Sequence, residues 1–521
     1  MKLWVVSMEC AGLAEAGGVK NVTYSLCKEF AKSGNNVSLI IPVFSSTDFK
    51  NIIFSEEKEI FYKIPHCGKE EAVSYKKGTY KNDNFNVIFF NHKSFSEKEG
   101  VYTYTANEAK KNPEFIKGNG HKDCLFMDSL FAKGVVAYGD LIKDDQLPQI
   151  VHCQDASTSV IPSIAKKSSR FDLTKFVVTI HNAGPAYHHN FASIGEAAWY
   201  TGLDDSLLNS SLNHEKVEPF LLASNSGAYL TTVSEEYAKE LCNPVYSNET
   251  EGLSEIFYSK NIEITGITNG IDYENYDPIN TGISKLPFTF NPKILDLKGK
   301  IDCRKYFVQK VLPNRNDYDG VQIFGDFDNT EKCDEEIYIV YHGRVTSQKG
   351  LPVLLDSIPH LLNNFENIRF LIAGQGEFNL ENSIKEMTEK YKGSVIFING
   401  YNKKITRLTN AIGDFIILPS HFEPCGLEDF ISQIYGTLPI AHKTGGLNKI
   451  VNGKTGFLYT NNVKESLIAK ISQVITIKIY NPEVINNMIK FTCEYLSENY
   501  LWEKVIKNKY LPFFEKIMEK K

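Results

Sequence analysis

No two of the ten cysteines stand in a C-x-x-C pair. Zinc sites need paired ligand spacings and disulfide frameworks belong to small secreted chains, so neither is expected. Most of the thiols are expected inside the core as small apolar side chains. No stretch approaches the roughly 18 to 20 apolar residues that span a bilayer. The apolar run Leu3 to Ser7 is too short for a signal-peptide core, and Glu9 follows at once. A soluble, cytoplasmic chain without a membrane partner is the expectation. Basic residues do not predominate either: 57 Lys and Arg stand against 63 Asp and Glu, a formal net charge of −6. That balance speaks against a nucleic-acid binder, which needs a basic face to displace counterions. There is no 20–50-residue repeat and no marked low-complexity segment.

What is present is an ordinary globular composition, 42% hydrophobic and 23% charged, over 521 residues. That length exceeds a single core, so two or more domains are expected. Leu3 to Ser7 reads as a strand. From Val19 the apolar residues Val22, Leu26, Cys27, Phe30 and Ala31 recur at helical steps, and Gly34 marks the stop. Val37 to Val43 reads as a buried parallel strand. Apolar runs at 149–152, 176–180 and 230–233 continue the alternation, which is the signature of a parallel α/β sheet. Irregular stretches near 46–60, 95–122 and 182–215 read as insertions over the sheet edge. A second α/β unit follows the turn at Asn269-Gly270-Ile271-Asp272, with strands at 337–341, 368–373, 395–398 and 415–418. Residues 313–334, rich in Asp, Asn and Gly, read as a surface loop. The expected architecture is two Rossmann-like halves joined near residue 270.

Four places carry chemistry. Ala16-Gly17-Gly18-Val19 lies between a strand and a helix start, where backbone amides can face an anion. Taken alone, it reads first as a tight turn without a ligand. His181-Asn182 directly follows a strand, where ligands bind in open α/β sheets. A buried, satisfied histidine fits that position equally well. His342 to Gly350 (HGRVTSQKG) sets Arg344 and Lys349 five residues apart beside a helix start. A planar fork and a point charge suit a pyrophosphate, and the flanking glycines favour that over two idle surface cations. Pro419 to Glu428 (PSHFEPCGLE) offers Glu423 and the backbone N–H groups of Cys425, Gly426 and Leu427 at a helix start. It is too constrained for a plain surface loop.

With these motifs in order, the chain resembles the bacterial glycogen synthase and plant starch synthase family, retaining GT-B glucosyltransferases of the ADP-glucose type. The resemblance runs through Ala16 to Val19, His152-x-x-Asp155, Thr179 to Asn182, Thr232-Val233-Ser234 and Asn269 to Asp272. It continues through Arg344-x-Thr346 to Gly350, Ala373 to Gly376, Gly400-Tyr401, Phe422 to Leu427, Tyr435 to Pro439 and Thr444 to Leu447. It implies two Rossmann-like domains with parallel sheets facing across a cleft: residues 1–268 on the glucan side, residues 269–495 for the nucleotide-sugar, and residues 496–521 as a final helix returning to the first domain.

The resemblance also assigns roles. Arg344 and Lys349 would neutralise the departing diphosphate, with the amides of Gly17 and Gly18 meeting the phosphate as well. Tyr401 would stack on the adenine. Glu423 and the amides of Cys425 to Leu427 would hold the glucose hydroxyls. His181 would bond the glucose 6-hydroxyl, with Asn182 beside it, and Asp155 and Asn269 would line the sugar pocket. Retention by front-face displacement needs no carboxylate nucleophile, unlike a retaining glycosidase. No metal and no cofactor are implied; the partners are a nucleotide-sugar donor and an α-glucan acceptor.

The chain departs from the family at two positions that face the donor. Glu15 stands where the family has Lys, and Glu428 where it has Thr or another uncharged residue. Milder departures are Asn21 for Asp, Ala156-Ser157 for Trp-His, and Phe220-Leu221-Leu222 in the region of an acceptor-side Lys. Two acids beside a diphosphate weaken its binding when desolvated. The expectation is an active glucan synthase. The alternatives are a glycosyltransferase with another donor or acceptor, and a non-catalytic glucan- or nucleotide-binding relative.

Overall fold

The computed structural model describes residues 1–55, 58–327 and 333–520. The chain divides into two compact units, Met1–Gly270 with Trp502–Lys521, and Ile271–Leu501. The split falls two residues later than the expected 268, and the return to the first unit begins at Trp502 rather than 496. Asn269 therefore belongs to the first unit, not the second.

In the first unit seven strands run parallel. From one edge they are Ile264–Gly266, Tyr229–Thr232, Lys175–Ile180, Ile150–Gln154, Lys2–Val6, Asn36–Pro42 and Asn86–Asn91. The central strands Ile150–Gln154 and Lys2–Val6 are almost wholly buried, as expected for strands covered on both faces, while the edge strand Ile264–Gly266 is not. An antiparallel extension, Ile52–Phe54, Ile60–His66 and Lys69–Tyr80, continues the sheet beyond Asn86–Asn91. The stretch read as irregular near 46–60 thus contains a short edge strand; its residues 56–57 lie outside the described ones. Helix Val19–Lys32 buries Val22, Leu26, Cys27 and Phe30 at helical spacing, and Gly34 ends it with φ +82°. The C-terminal helix Leu511–Glu519 packs here: Phe514 stacks on Phe30, ring centroids 5.3 Å apart.

The second unit is a seven-stranded sheet in the order Val321–Phe324, Val395–Gly400, Ile368–Gly374, Ile337–His342, Phe415–Leu418, Leu438–His442 and Phe457–Tyr459. All pairs are parallel except the first, where Val321–Phe324 runs against Val395–Gly400. This edge strand corrects the reading of 313–334 as a surface loop. Ile323, Phe327 and Cys333 are buried there; the polar Asp, Asn and Gly residues around them masked a short apolar pattern. Residues 328–332 of that stretch lie outside the described ones.

In each sheet the strand order reverses once, between Lys2–Val6 and Ile150–Gln154 in the first unit, and between Ile337–His342 and Phe415–Leu418 in the second. Loops leaving neighbouring strands on opposite sides open a crevice at such a point, and ligands bind there beyond the carboxyl ends of the strands.

Candidate active site

At the first unit's switch point the chain leaves the strand Lys2–Val6 and reaches Glu9, which is fully buried. Its Oε2 accepts the backbone N–H groups of Ala16 at 2.9 Å and Gly17 at 2.6 Å. Burial raises this carboxyl above its ordinary range, against the pull of those amides and of Lys20. The Gly17 amide, expected to meet a phosphate, is held here by the chain's own carboxylate. A Cβ on Gly17 would sit 3.0 Å from Glu9 Oε1. A Cβ on Gly18 would meet nothing within 4 Å, so the loop is open at that glycine. Glu15 forms an ion pair with Lys20 at 2.9 Å and accepts the Gly12 N–H at 2.8 Å. Its charge is thus compensated within the loop.

Asp155 and His181 follow adjacent strands. Asp155 takes φ 65° and ψ 180°, a backbone region that side chains rarely adopt, and its Oδ1 accepts the His181 N–H at 3.3 Å. Burial pushes the Asp155 carboxyl up to about 7. His181 Nε2 lies 2.9 Å from Gln154 Oε1, and burial pushes the imidazole down to about 3, so it is neutral near pH 7. Asn182 Oδ1 accepts the Gly184 N–H at 2.8 Å, closing an Asx turn. Asn269 is buried and its Oδ1 has no hydrogen-bond partner among the described residues. His152 of the His-x-x-Asp motif is a core group: its Nε2 lies 2.6 Å from Thr179 Oγ1 and its ring packs on Tyr510 and Phe514.

The second unit gathers Arg344, Lys349, Tyr401 and Glu423 to Glu428 at the carboxyl ends of its strands. Ser347–Lys349 is one 3-10 turn, ended by Gly350 with φ +72°. A Cβ there would lie 1.9 Å from the carbonyl oxygen of Pro419. Only glycine lets the loop after Ile337–His342 reach the loop after Phe415–Leu418. That approach brings Lys349 Nζ to 2.5 Å from Glu423 Oε2, and Ser420 Oγ donates to the same oxygen at 3.0 Å. Burial acts to raise Glu423, but Lys349, Ser420 and Lys449 outweigh it and hold the carboxyl below its ordinary value. Arg344 is exposed and donates to Gln348 Oε1 at 3.2 Å. Tyr401 is 66% exposed, enough for a planar ligand to lie on its ring.

Glu428 opens the helix Glu428–Ile434. It accepts from Asn410 Nδ2 at 3.3 Å, and burial pushes its carboxyl up to about 7, with Asp429 and Glu423 adding to the effect and Asn410 and Lys349 opposing it. The second added acid is thus partly protonated near neutrality.

Sequence reasoning missed Lys449. Its Nζ donates to the carbonyl oxygens of Cys425 at 2.6 Å, Gly426 at 2.8 Å and Gly446 at 3.1 Å, and pairs with Asp429 at 3.0 Å. A Cβ on Gly446 would lie 2.1 Å from the Cys425 carbonyl oxygen, so the Thr-Gly-Gly turn presses directly on the Pro-Cys-Gly loop. With the carbonyls of Cys425 and Gly426 held by one lysine, the loop's conformation is fixed from behind. Glu9 was also missed, although a carboxylate just past a switch-point strand is a signal the sequence carries.

Residues 2–255 match the family model described as the starch synthase catalytic domain, and residues 324–491 match glycosyl transferases group 1. A glycogen synthase of Thermodesulfovibrio yellowstonii is 29% identical over 515 residues, covering 94% of this chain and 92% of that protein. A glycogen synthase of Mycoplasma mobile is 25% identical over 521 residues, covering 98% and 99%. The catalytic domain of starch synthase IV from Arabidopsis thaliana, solved bound to ADP and acarbose, superposes with a TM-score of 0.78 at 21% identity, covering 100% of this chain and 99% of that one. The fold is GT-B, two parallel α/β domains. The chain belongs to the glycogen synthase and starch synthase family of glycosyltransferases.

Proposed function

We propose that the protein transfers glucose from ADP-glucose to the non-reducing end of an α-1,4-glucan, with retention at the anomeric carbon. The observation that carries this reading is the Lys349–Glu423 pair at the second unit's switch point, with Arg344 on the same loop. A cation that meets a diphosphate and a carboxylate that meets sugar hydroxyls are placed side by side. The linkage they would bracket is the sugar–phosphate bond.

Arg344 and Lys349 stabilise the negative charge that grows on the diphosphate as the sugar leaves, and the bond breaks without a protein nucleophile. The leaving phosphate oxygen takes the proton of the acceptor hydroxyl on the same face of the ring. No metal is assigned, since two fixed cations supply the charge. Glu423 and the amides after it orient the glucose, and Tyr401 carries the base. His181, neutral and tied to Gln154, can bond a sugar hydroxyl without adding charge, while Asp155 and Asn269 line the sugar pocket. The donor is read as the adenine nucleotide because the Arabidopsis starch synthase was solved with ADP.

The test is nucleotide release and glucan growth from purified protein given glycogen, with ADP-glucose or UDP-glucose in parallel and EDTA in a third arm. Growth with ADP-glucose, undiminished by EDTA, supports the reading. Growth only with UDP-glucose assigns a different donor. Glycogen binding without turnover from either donor overturns the catalytic assignment.

A further inference from the structure

The first unit holds a cavity of about 450 Å³ where three pieces of chain meet. Asn190 comes from the loop after Lys175–Ile180. Asn213, His214 and Lys216 come from the turn between the short strands Leu212–Asn213 and Lys216–Val217. Ser247 and Glu251 come from the segment ahead of helix Leu253–Ser259. The volume lies in the range of small-ligand sites, which are mostly lined by apolar groups. None of the side chains lining this one is apolar, so it suits a ligand that offers hydroxyl groups rather than a hydrophobic face.

Two acceptors in its wall are unanswered by the chain. Asn213 is 3% exposed, and its Nδ2 donates to the Glu251 carbonyl oxygen at 3.1 Å. That bond fixes the orientation of the amide, because a carbonyl oxygen takes only the NH₂ end. The Oδ1 of Asn213 is then left buried without a hydrogen-bond partner among the described residues, and so is the Oδ1 of Asn190. A buried acceptor without a donor is destabilising, and native proteins keep few of them. Two in the wall of one cavity call for a ligand that brings donors.

Gly252 keeps the space beside Asn213 open. Its φ is +90°, and a Cβ there would lie 2.8 Å from His214 Nε2 and 3.2 Å from Asn213 Oδ1. Lys216 and Glu251 carry opposite charges, so the wall has no surplus of one sign to select a phosphate or a cation. A neutral pyranose fits this balance: its hydroxyls donate to the two asparagines and accept from Lys216. The cavity also adjoins the loop that carries Asn182. Asn182 Oδ1 holds the Gly184 N–H at 2.8 Å, and a Cβ on Gly184 would lie 3.6 Å from the Glu249 carbonyl oxygen, in the segment that lines the cavity.

We propose that this cavity is a glucan subsite, in which Asn190 and Asn213 accept hydrogen bonds from a glucose unit of the acceptor chain set back from its reacting end. This rests on the reading of the acceptor as an α-glucan. A free monosaccharide offers the same hydroxyls; the chain is favoured because the neighbouring loop carries Asn182 of the sugar pocket.

The test uses the full-length protein with maltoheptaose, free glucose and Ca²⁺ as separate probes, and neither readout needs a donor or turnover. By calorimetry, wild type should bind maltoheptaose more tightly than glucose, and Asn190→Leu should weaken maltoheptaose binding by about 3- to 10-fold, the worth of one hydrogen bond. The melting temperature of Asn190→Leu should not fall, since the oxygen removed bonds nothing in the described chain. In hydrogen exchange on wild type, maltoheptaose should slow the amides of residues 212–217 and 247–253. Unchanged affinity in Asn190→Leu, or unchanged exchange in both segments, overturns the proposal. Should the variant fail to fold, exchange on wild type decides alone. Glucose binding as tightly as maltoheptaose overturns the chain assignment, and a Ca²⁺-induced rise in melting temperature that Asn190→Leu abolishes assigns a cation instead. Glucan binding of the expected kind without turnover from any donor sinks the transferase reading and leaves the subsite standing.

Discussion

Lys349 Nζ and Glu423 Oε2 stand 2.5 Å apart, with side chains 20% and 13% exposed. Their partnership means that a diphosphate approaching Lys349 meets a cation already shared. Binding must redistribute that charge, and the carboxylate freed from it is the group assigned to the sugar. One contact thereby couples phosphate recognition to glucose recognition.

Removing either partner should have opposite effects on binding and the same effect on turnover. Lys349→Ala loses the charge that stabilises the leaving group, and kcat should fall by at least about 10²- to 10³-fold. It also strands a mostly buried carboxylate, so the melting temperature should drop. Glu423→Gln frees Lys349 and should bind ADP several-fold tighter by calorimetry, while losing turnover for want of a sugar ligand. Equal ADP affinity in wild type and Glu423→Gln would show that the pair is not competing with phosphate.

Glu428 supplies a pH dependence. Its carboxyl is pushed up to about 7, from an ordinary 4.5, chiefly by burial. As pH rises through 7 it becomes an anion beside Lys349, so ADP should bind more weakly at pH 8 than at pH 6. The same raised value costs stability: the group contributes no penalty below pH 4.5, and the penalty grows between 4.5 and 7 as the unfolded chain ionises first. Glu428→Gln should remove both dependences. Parallel calorimetry and thermal melts at pH 6 and 8 check this, with the variant as control for the titration of ADP itself.

The two-unit α/β architecture was legible because buried parallel strands read as short apolar runs such as Val37 to Val43, separated by helical spacing such as that of Val22, Leu26 and Phe30. The edge strand Val321–Phe324 was not, since it sits in a polar, Asp-rich stretch and owes its pairing to Val395–Gly400. The places of Arg344, Lys349 and Glu423 followed from loops at strand ends. What the sequence could not display is who pairs with whom. Glu15 reads as a repulsive acid until Lys20 is seen 2.9 Å away, and the Gly17 amide reads as open until Glu9 fills it.

That compensation sets the expected behaviour of Glu15. The pair with Lys20 is solvent-exposed, side chains 25% and 49% accessible, and such pairs contribute about 0–1 kcal/mol. Glu15→Gln should leave stability within that range and leave Lys20 without its ion-pair partner next to the glycine loop. Donor KM should therefore fall modestly, whereas Lys20→Ala, which exposes the acid, should raise it. Steady-state kinetics at low ionic strength, where exposed charges are least screened, give the clearest reading. A rise in KM for Glu15→Gln would mean that the carboxylate itself, through the Gly12 N–H, shapes the loop.

Lys449 offers the last prediction, because its role is separable from chemistry. It holds the carbonyls of Cys425, Gly426 and Gly446 and neutralises the fully buried Asp429, and on Glu423 it acts only behind Lys349 and Ser420. Lys449→Met keeps the aliphatic stem but leaves Asp429 as an uncompensated buried acid, so stability should drop by about 3–5 kcal/mol. Burial already pushes Asp429 above its ordinary range even with Lys449 present. The double change Lys449→Met with Asp429→Asn removes both charges and should recover much of that loss. It should not recover sugar affinity, because the three carbonyls remain unheld and the amides of Cys425 to Leu427 lose their fixed aim. Denaturant melts combined with donor KM on the single and double variants separate the two effects. Recovery of stability and affinity together would mean that the loop keeps its shape without the lysine and that only the buried charge mattered.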